Sequence, residues 1–217
     1  MTIQNTTRKK THTEVAVGHM SEGTAPRLSN SRILEIIGNY ITEVAATLEM
    51  LPTDNLIQIV NLIEEARLNG RRIYISGNGG SAATASHFTC DLSKGAICDG
   101  KPRMKVFSLT DSVPLLTAWA NDNMYRNTFA EQIENLVERG DIVIAISGSG
   151  DSWNVLKGLE IARSKGAKTV GFTGFDGGKV KELVDVPIIV PSDNIEQVED
   201  IHLLLTHVIT ACLREAA

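Results

Sequence analysis

A histidine and an aspartate four residues apart, His87 and Asp91, are the first residues in this chain whose types and spacing could do chemistry. In a helix, side chains at positions i and i+4 leave the same face one turn apart, so this imidazole and carboxylate would lie side by side. Such a pair can move protons or bind a divalent metal. The helix that would hold them, predicted over Ser81–Leu92, begins directly after a glycine-rich turn.

That turn, SGNGGS at 76–81, has the composition of an anion site. Its three glycines allow backbone conformations with positive φ, so successive N–H groups can face one anion. Ser81 is predicted to cap the helix, whose N-terminal N–H groups and dipole favour negative charge. The turn therefore indicates a small phosphorylated substrate beside the acid–base pair, although an ordinary glycine-rich loop has the same composition.

A second turn of this kind, SGSGDS at 147–152, follows the apolar run Ile142–Ile146. The hydroxyl groups of Ser147, Ser149 and Ser152 add to the N–H groups that the glycines expose. Neither turn contains Lys or Arg. We therefore expect neutral donors to hold the phosphate.

Two nucleotide-binding motifs fit the first turn poorly. A Walker loop requires a GK[ST] sequence, and the lysine is absent. A dinucleotide fingerprint requires GxGxxG and an acidic residue at the end of the next strand, whereas Lys105–Leu109 is followed by Thr110 before Asp111. Dinucleotide binding is therefore disfavoured.

The last predicted helix, Ile195–Ala216, contains a further group of ionisable side chains in VEDIHLLLTH. Glu199 and His207 would lie about 80° apart around the helix and two turns along it, so both could face one cavity. An acidic helix start favoured by the dipole, followed by histidines that only pack, is the alternative. We favour packing for His202 and leave both interpretations open for His207.

Short β-rich runs alternate with helical segments from Arg71 onwards, which is typical of a parallel sheet covered on both faces. Right-handed crossovers then predict a doubly wound α/β fold, in which both glycine turns lie at the carboxyl ends of strands beside a topological switch point. The predicted strands are Arg72–Ser76, Lys105–Leu109, Asp141–Ser147, Thr169–Thr173 and Val186–Val190. The predicted helices among them are Ser81–Leu92, Ser112–Ala120, Asn127–Glu138, Ser152–Lys165 and Gly178–Leu183.

The N-terminal part of the chain has a different pattern. Residues 1–28 are polar and lack periodicity, so a mobile tail is predicted, followed by one domain at 29–217. Two helices, Ser31–Leu51 and Thr53–Asn69, have apolar residues at helical spacing and could cover a sheet or meet a partner subunit.

Composition excludes several classes of protein. A net charge of −5 and a pI near 5.6 give no basic footprint for nucleic acid. No apolar run is long enough to span a membrane, and the N-terminus lacks the apolar core of a signal peptide, so we expect a cytoplasmic protein. Three scattered cysteines indicate reduced thiols.

From about Ser31 to its end, the chain resembles the sugar isomerase (SIS) family and, within it, the phosphoheptose isomerases. The resemblance rests on four separated motifs in the family's order: GNGGSAA, ISGSGDS, TGFDGG at 173–178, and VEDIHLLLTH. It implies a five-stranded, flavodoxin-like parallel sheet and a homotetramer with sites between subunits. The implied reaction converts sedoheptulose 7-phosphate to an aldoheptose 7-phosphate.

The same resemblance assigns roles to individual residues. The substrate would contact Asn78, Gly79, Gly80 and Ser81, its phosphate would contact Ser147, Gly148, Ser149 and Ser152, and its hydroxyl groups would contact Asn121 and Asp122. His87, Asp91, Glu199 and His207 match the residues that surround a zinc ion and the reacting carbons. Asp91 would be the general base and His207 the acid, with Asp91 and Glu199 also touching substrate. The family has a glutamate in place of Asp91 and a glutamine in place of Glu199.

The sequence thus favours an aldose–ketose isomerase that passes through an enediol and needs no nucleotide cofactor. Because Asp91 is one methylene shorter than glutamate, a phosphosugar-binding regulator without catalysis is an alternative. An isomerase for another sugar phosphate would share every site residue. For the four ionisable residues, one zinc per subunit competes with carboxylates that only fix imidazole tautomers.

Overall fold

The computed structural model describes residues 27–215, so the predicted tail lies almost wholly outside the described residues. Two compact units divide the chain, the first ending at Ile37 and the second beginning at Gly38. In the first unit, Arg32 and Glu35 form an ion pair at 2.8 Å. The second unit contains every strand described below.

The elements follow the predicted alternation, with most boundaries within three residues of prediction. The helices are α1 (Asn30–Glu49), α2 (Thr53–Leu68), α3 (Gly80–Cys90), α4 (Val113–Asn123), α5 (Thr128–Leu136), α6 (Trp153–Ser164), α7 (Val180–Leu183) and α8 (Ile195–Glu215). The strands are β1 (Arg72–Gly77), β2 (Lys105–Ser108), β3 (Ile142–Ile146), β4 (Lys168–Thr173) and β5 (Val186–Ile189). A π-helical turn, Asp91–Gly95, continues α3, and a 3₁₀ turn, Tyr125–Asn127, precedes α5.

The strands form one sheet in the order β2-β1-β3-β4-β5, and every neighbouring pair is parallel. The central strand β3 is buried along its whole length, which explains its unbroken run of apolar residues. Successive connections leave β1 and β3 in opposite directions, so the switch point lies between these two strands. The predicted five-stranded, doubly wound fold is confirmed.

Two apolar cores cover the sheet. On one face, α2, α3 and α8 pack through buried residues such as Ile63, Phe88 and Leu205. On the other, α5 and α6 pack through residues such as Phe129 and Leu159. Because the helices that follow β1 and β3 are each buried in a core, their N-termini are held firmly at the carboxyl edge of the sheet.

Within residues 27–215, no helix is both long and apolar enough to cross a membrane. Cys90, Cys98 and Cys212 are free thiols, as predicted.

Candidate active site

The two glycine-rich loops lie side by side at the switch point. Gly77 at the end of β1 pairs with Ile146 at the end of β3, so both strands deliver their loops to the same edge. The prediction that both loops lie at the carboxyl ends of strands beside the switch point is confirmed.

In the first loop the helix begins one residue earlier than predicted. Gly79, with φ of 55°, is the N-cap of α3, and no side chain caps the helix. The prediction that Ser81 is the cap is therefore wrong: Ser81 lies in the first turn of the helix and is buried. Glycine can adopt this backbone conformation at the N-cap without the hydrogen bond that a serine hydroxyl would supply there.

Three hydrogen bonds from two side chains fix the orientation of Asn78. Its Nδ2 donates to Asn154 Oδ1 at 2.8 Å, and its Oδ1 accepts from Asn154 Nδ2 at 2.9 Å. The Tyr125 hydroxyl donates to the same Oδ1 at 2.8 Å. The first loop is thus tied to the start of α6 and to the 3₁₀ turn.

The second loop combines hydroxyls with a tight backbone turn. Gly150 N–H donates to Ser147 O at 3.0 Å, and the Ser147 hydroxyl donates to Ser152 Oγ at 3.4 Å. Ser147 is buried, Ser152 is half-buried and Ser149 is exposed. Gly148 is buried between them, where an added Cβ would overlap the side chain of Ile195.

A cavity of about 440 Å³ opens between the loops, and its lining residues are Asn78, Tyr125, Arg126, Ser152, Trp153 and Asn154. Sequence analysis identified Asn78 and Ser152 but missed the rest. Arg126 adds a cation, although neither loop contains one. A larger cavity of about 540 Å³ shares Arg126 and Trp153 with the first but contains no predicted site residue.

Asp91 lies between two imidazoles. Its Oδ2 is 3.4 Å from His87 Nε2 and 3.6 Å from His207 Nε2, and the two Nε2 atoms are 2.9 Å apart. The Asp91 side chain is 22% exposed, whereas the side chains of both histidines are about half exposed. The structure therefore brings together His87 and Asp91 from one helix and His207 from another.

The π-helical turn positions this carboxylate. Asp91 begins the turn, and its carbonyl accepts from Ala96 N–H at 2.9 Å, a spacing of five residues. Gly95, in the same turn, leaves space for α8, because an added Cβ would lie 3.3 Å from Thr210 Cγ2. π turns inside helices occur frequently at functional sites.

These three residues fit a zinc ion. Tetrahedral coordination at about 2.0–2.1 Å separates any two ligand atoms by about 3.3 Å, and the three separations above have a mean of about 3.3 Å. Asp91 Oδ2 is a buried oxygen that, within the described chain, accepts no hydrogen bond. Buried polar atoms are normally satisfied, so this oxygen is suited to bind a cation or a proton donor.

Glu199 lies elsewhere. Its carboxylate packs against Gly80 in the first turn of α3, where an added Cβ would overlap it. Within the described residues, the group of potential metal ligands contains His87, Asp91 and His207 only. Glu199 thus lies near the first glycine loop, and its assignment as a metal ligand stays a prediction.

Asn121 and Asp122 lie exposed in the last turn of α4, where Asn121 Nδ2 donates to Asp122 Oδ1 at 2.8 Å. No described contact joins them to the loops or to the histidines. Their assignment to sugar hydroxyl groups also stays a prediction.

His202 packs as expected. It is fully buried, and its Nε2 donates to the carbonyl of Thr173 at 3.1 Å. Burial lowers its pKa to about 4, because the charged imidazolium would lose its hydration, while the hydrogen bond to Thr173 partly opposes this shift.

Several known proteins are similar to this chain in sequence and fold. The SIS domain model matches residues 39–174. A phosphoheptose isomerase of Helicobacter pylori (strain P12) is 42% identical over 158 residues, covering 73% of this chain and 82% of that protein. A phosphoheptose isomerase of Geotalea daltonii is 36% identical over 187 residues, covering 86% and 91%.

Solved structures give the same relationship. A phosphoheptose isomerase from Francisella tularensis has a TM-score of 0.77 and 29% identity, covering 87% of this chain and all of that one. A phosphoheptose isomerase from Neisseria gonorrhoeae has a TM-score of 0.78 and 28% identity, covering 85% and 98%. The chain therefore belongs to the SIS domain family and, within it, to the phosphoheptose isomerases.

Proposed function

We propose that this protein interconverts sedoheptulose 7-phosphate and D-glycero-D-manno-heptose 7-phosphate through an enediol. The observation that supports this reaction most directly is the Asp91 carboxylate placed between His87 and His207. Asp91 directly follows α3, the helix that starts at the first glycine-rich loop, and the serine-rich loop lies beside that first loop. Relatives named phosphoheptose isomerase match across most of the chain.

The chemistry requires one base and one acid. The Asp91 carboxylate takes a proton from the carbon next to the ketose carbonyl, while His207 donates a proton to the carbonyl oxygen, which gives the enediol. Return of a proton to the former carbonyl carbon, with loss of the proton from the other hydroxyl, gives the aldose. Both groups belong to one cluster, so they can serve one substrate.

The phosphate binds at the serine-rich loop in this proposal. The hydroxyl groups of Ser147, Ser149 and Ser152 and the N-terminal N–H groups of α6 supply neutral donors. Arg126, in the adjoining cavity, adds positive charge near Ser152. Gly79, Gly80 and Ser81 form the edge of the sugar site on the other loop.

A zinc ion would be held by His87, Asp91 and His207. When bound, it would supply a Lewis acid that polarises substrate oxygens. Metal analysis of protein purified without a histidine tag tests its presence. His87→Ala should lose both metal and turnover, whereas full turnover in metal-free protein would contradict the assignment.

We also propose a homotetramer that works in the cytoplasm. Apolar side chains along α1, namely Ile33, Leu34, Ile36, Ile37 and Ile41, are each at least 40% exposed, which is unusual for a face that meets only water. Light scattering at micromolar concentration should give about four times the chain mass. A monomer at that concentration would contradict the assembly.

The reaction itself is tested in heavy water. Sedoheptulose 7-phosphate should gain one deuterium and form an aldose. Asp91→Asn should lower kcat by about 10²–10⁴-fold, since proton transfer by a side chain contributes about that factor. Asp99→Asn, at an exposed aspartate of the next turn, is the matched control and should be unaffected. No exchange and no product with any ketose phosphate in a panel would overturn the proposal.

A further inference from the structure

Asn154 and Tyr125 have no role in the chemistry, yet both bind the side chain of Asn78. An asparagine amide has two acceptor positions on oxygen and two N–H donors. At Asn78 both acceptor positions are used, by Tyr125 and Asn154, and one N–H donates to Asn154. One N–H therefore remains for a ligand.

The orientation of this amide is fixed from the backbone outwards. Val155 N–H, at the start of α6, donates to Asn154 Oδ1 at 3.0 Å. Because a backbone N–H can only donate, that atom of Asn154 must be the oxygen, and the nitrogen must face Asn78. The reciprocal pair then requires Asn78 to present its oxygen to Asn154 Nδ2 and its nitrogen to Asn154 Oδ1.

The 3₁₀ turn holds Tyr125 in place at a conformational cost. Met124, the residue before it, has φ of 65° and ψ of 145°, a backbone conformation that favours glycine. Non-glycine residues in such conformations persist where the surrounding structure imposes them, and they occur often at functional sites. The turn that follows Met124 places both Tyr125 and Arg126 on the wall of the cavity.

We propose that Tyr125 and Asn154 are positioning residues that present the remaining N–H of Asn78 to an oxygen of the bound sugar phosphate. This inference rests on the proposed function and deepens it. Asn154 is 2% exposed, so its amide is shielded from water, and the amide pair ties the first loop to the start of α6. A wrongly turned Asn78 amide would offer the substrate an oxygen, which repels the oxygens of a sugar phosphate.

A double-mutant cycle tests this role. The variants are Tyr125→Phe, Asn78→Ala and their combination, with the dissociation constant for sedoheptulose 7-phosphate measured by calorimetry and turnover measured separately. Tyr125→Phe removes one oxygen atom from a side chain that is 59% exposed, so the fold should persist. Tyr74→Phe, which loses a bond to Leu136 O away from the cavity, is the matched control.

Tyr125→Phe should raise the dissociation constant and KM about 3–10-fold, the effect of one neutral hydrogen bond, and leave kcat within about two-fold. In the Asn78→Ala background it should change neither value, because its effect passes through Asn78. Asn154→Ala should show the same dependence on Asn78 with a larger rise. Tyr74→Phe should behave as wild type.

Equal effects of Tyr125→Phe with and without Asn78 would overturn the positioning role while leaving the proposed function intact. Binding without turnover in the wild type would overturn the proposed reaction, and the cycle of binding constants would still decide the positioning role. Absence of any binding of sedoheptulose 7-phosphate by the wild type would overturn both.

Discussion

The two glycine-rich loops leave neighbouring strands and start similar helices, but different kinds of contact hold them. Side chains fix the first loop: Asn78 is bound by Asn154 and Tyr125, and the Glu199 carboxylate rests on Gly80.

Backbone groups fix the second loop. Gly148 O accepts from Gly174 N–H at 2.8 Å, and Gly150 O accepts from Val180 N–H at 3.0 Å. A Cβ added at Gly150 would overlap the carbonyl of Gly177. The second loop is therefore rigid and suited to bind a group of fixed shape such as phosphate. The conformation of the first loop should be more sensitive to changes in single side chains.

The largest effect should come from an added methyl group in the rigid loop. Gly150→Ala should lower the free energy of unfolding by about 3 kcal/mol or more, because it combines a positive φ of 69° with overlap of backbone that cannot move aside. Urea unfolding measures this loss.

Gly79→Ala is the matched control, since φ is 55° there and no atom lies within 4 Å of the added Cβ. Its free energy of unfolding should fall only by the cost of the backbone strain, about 1–3 kcal/mol. Equal losses at both positions would show that packing does not distinguish the loops.

Acid should loosen the helix that crosses both loops. His202 anchors α8 to Thr173 O, and its pKa falls from 6.5 to about 4 on folding. Between these values the unfolded chain binds the proton and the folded chain does not, so stability decreases as pH falls from about 6.5 towards 4. At pH 5 the loss should be about 2 kcal/mol.

His202→Gln isolates this contribution, because glutamine can donate to Thr173 O but does not titrate. The difference in unfolding free energy between wild type and variant should shift by about that amount between pH 7 and pH 5. Parallel pH curves for the two proteins would contradict the assignment.

In the first glycine-rich loop, Gly80→Ala should change activity more than stability. The added methyl group meets the end of a flexible side chain, Glu199, which can move at a cost below about 1 kcal/mol. The resemblance predicts that Glu199 contacts the substrate, and the displaced carboxylate should lose that contact, so we expect kcat/KM to fall about 10-fold or more.

Glu199→Ala supplies the control for this variant. In that background Gly80→Ala should have no further effect on kcat/KM, because the group that it displaces is gone. A further 10-fold fall would show that the methyl group acts on substrate directly.

The smallest effect should be a gain. Met124→Gly relieves a backbone conformation that favours glycine at a residue 61% exposed, and the gain exceeds the entropy cost of glycine, so unfolding free energy should rise by about 0.5–1 kcal/mol.

Met50→Gly replaces a similarly exposed methionine without positive φ and should lower stability by about the same amount. Thermal unfolding distinguishes the two signs. A loss at Met124 would show that the turn is not strained.

Regular elements were predictable because burial dictates their sequence. β3 reads as an apolar run since both of its faces are covered, and β1 and β3 each end at glycine-rich turns that place the switch point. The helix boundaries were close where a glycine or proline ends the pattern. α3 was the exception: Asp91–Gly95 has the composition of ordinary helix, so its π turn was not predicted.

The side-chain partners across the site were less predictable. Glu199 and His207 were predicted to be able to face one cavity because they lie about 80° apart around a helix. Glu199 packs on Gly80 and His207 lies beside Asp91, and the helical spacing alone does not predict these two partners. Tyr125 and Asn154 meet Asn78 across 47 and 76 residues, which no local pattern encodes. The only local feature that could have indicated one of these partners was Asn154, an asparagine at a helix start two residues after Ser152.

The π-helical turn also determines how the chain tolerates changes in length. A single π turn amounts to one residue inserted into an α-helix. Deleting one residue within 92–94 should therefore convert the π turn into regular α-helix, in which the five-residue hydrogen bond from Ala96 N–H to Asp91 O is replaced by a four-residue one, and leave the following chain facing as before. Inserting a further residue would instead turn the following chain by about 100° relative to Asp91 and move Gly95 away from Thr210 of α8. This segment should thus tolerate the loss of one residue better than the gain of one.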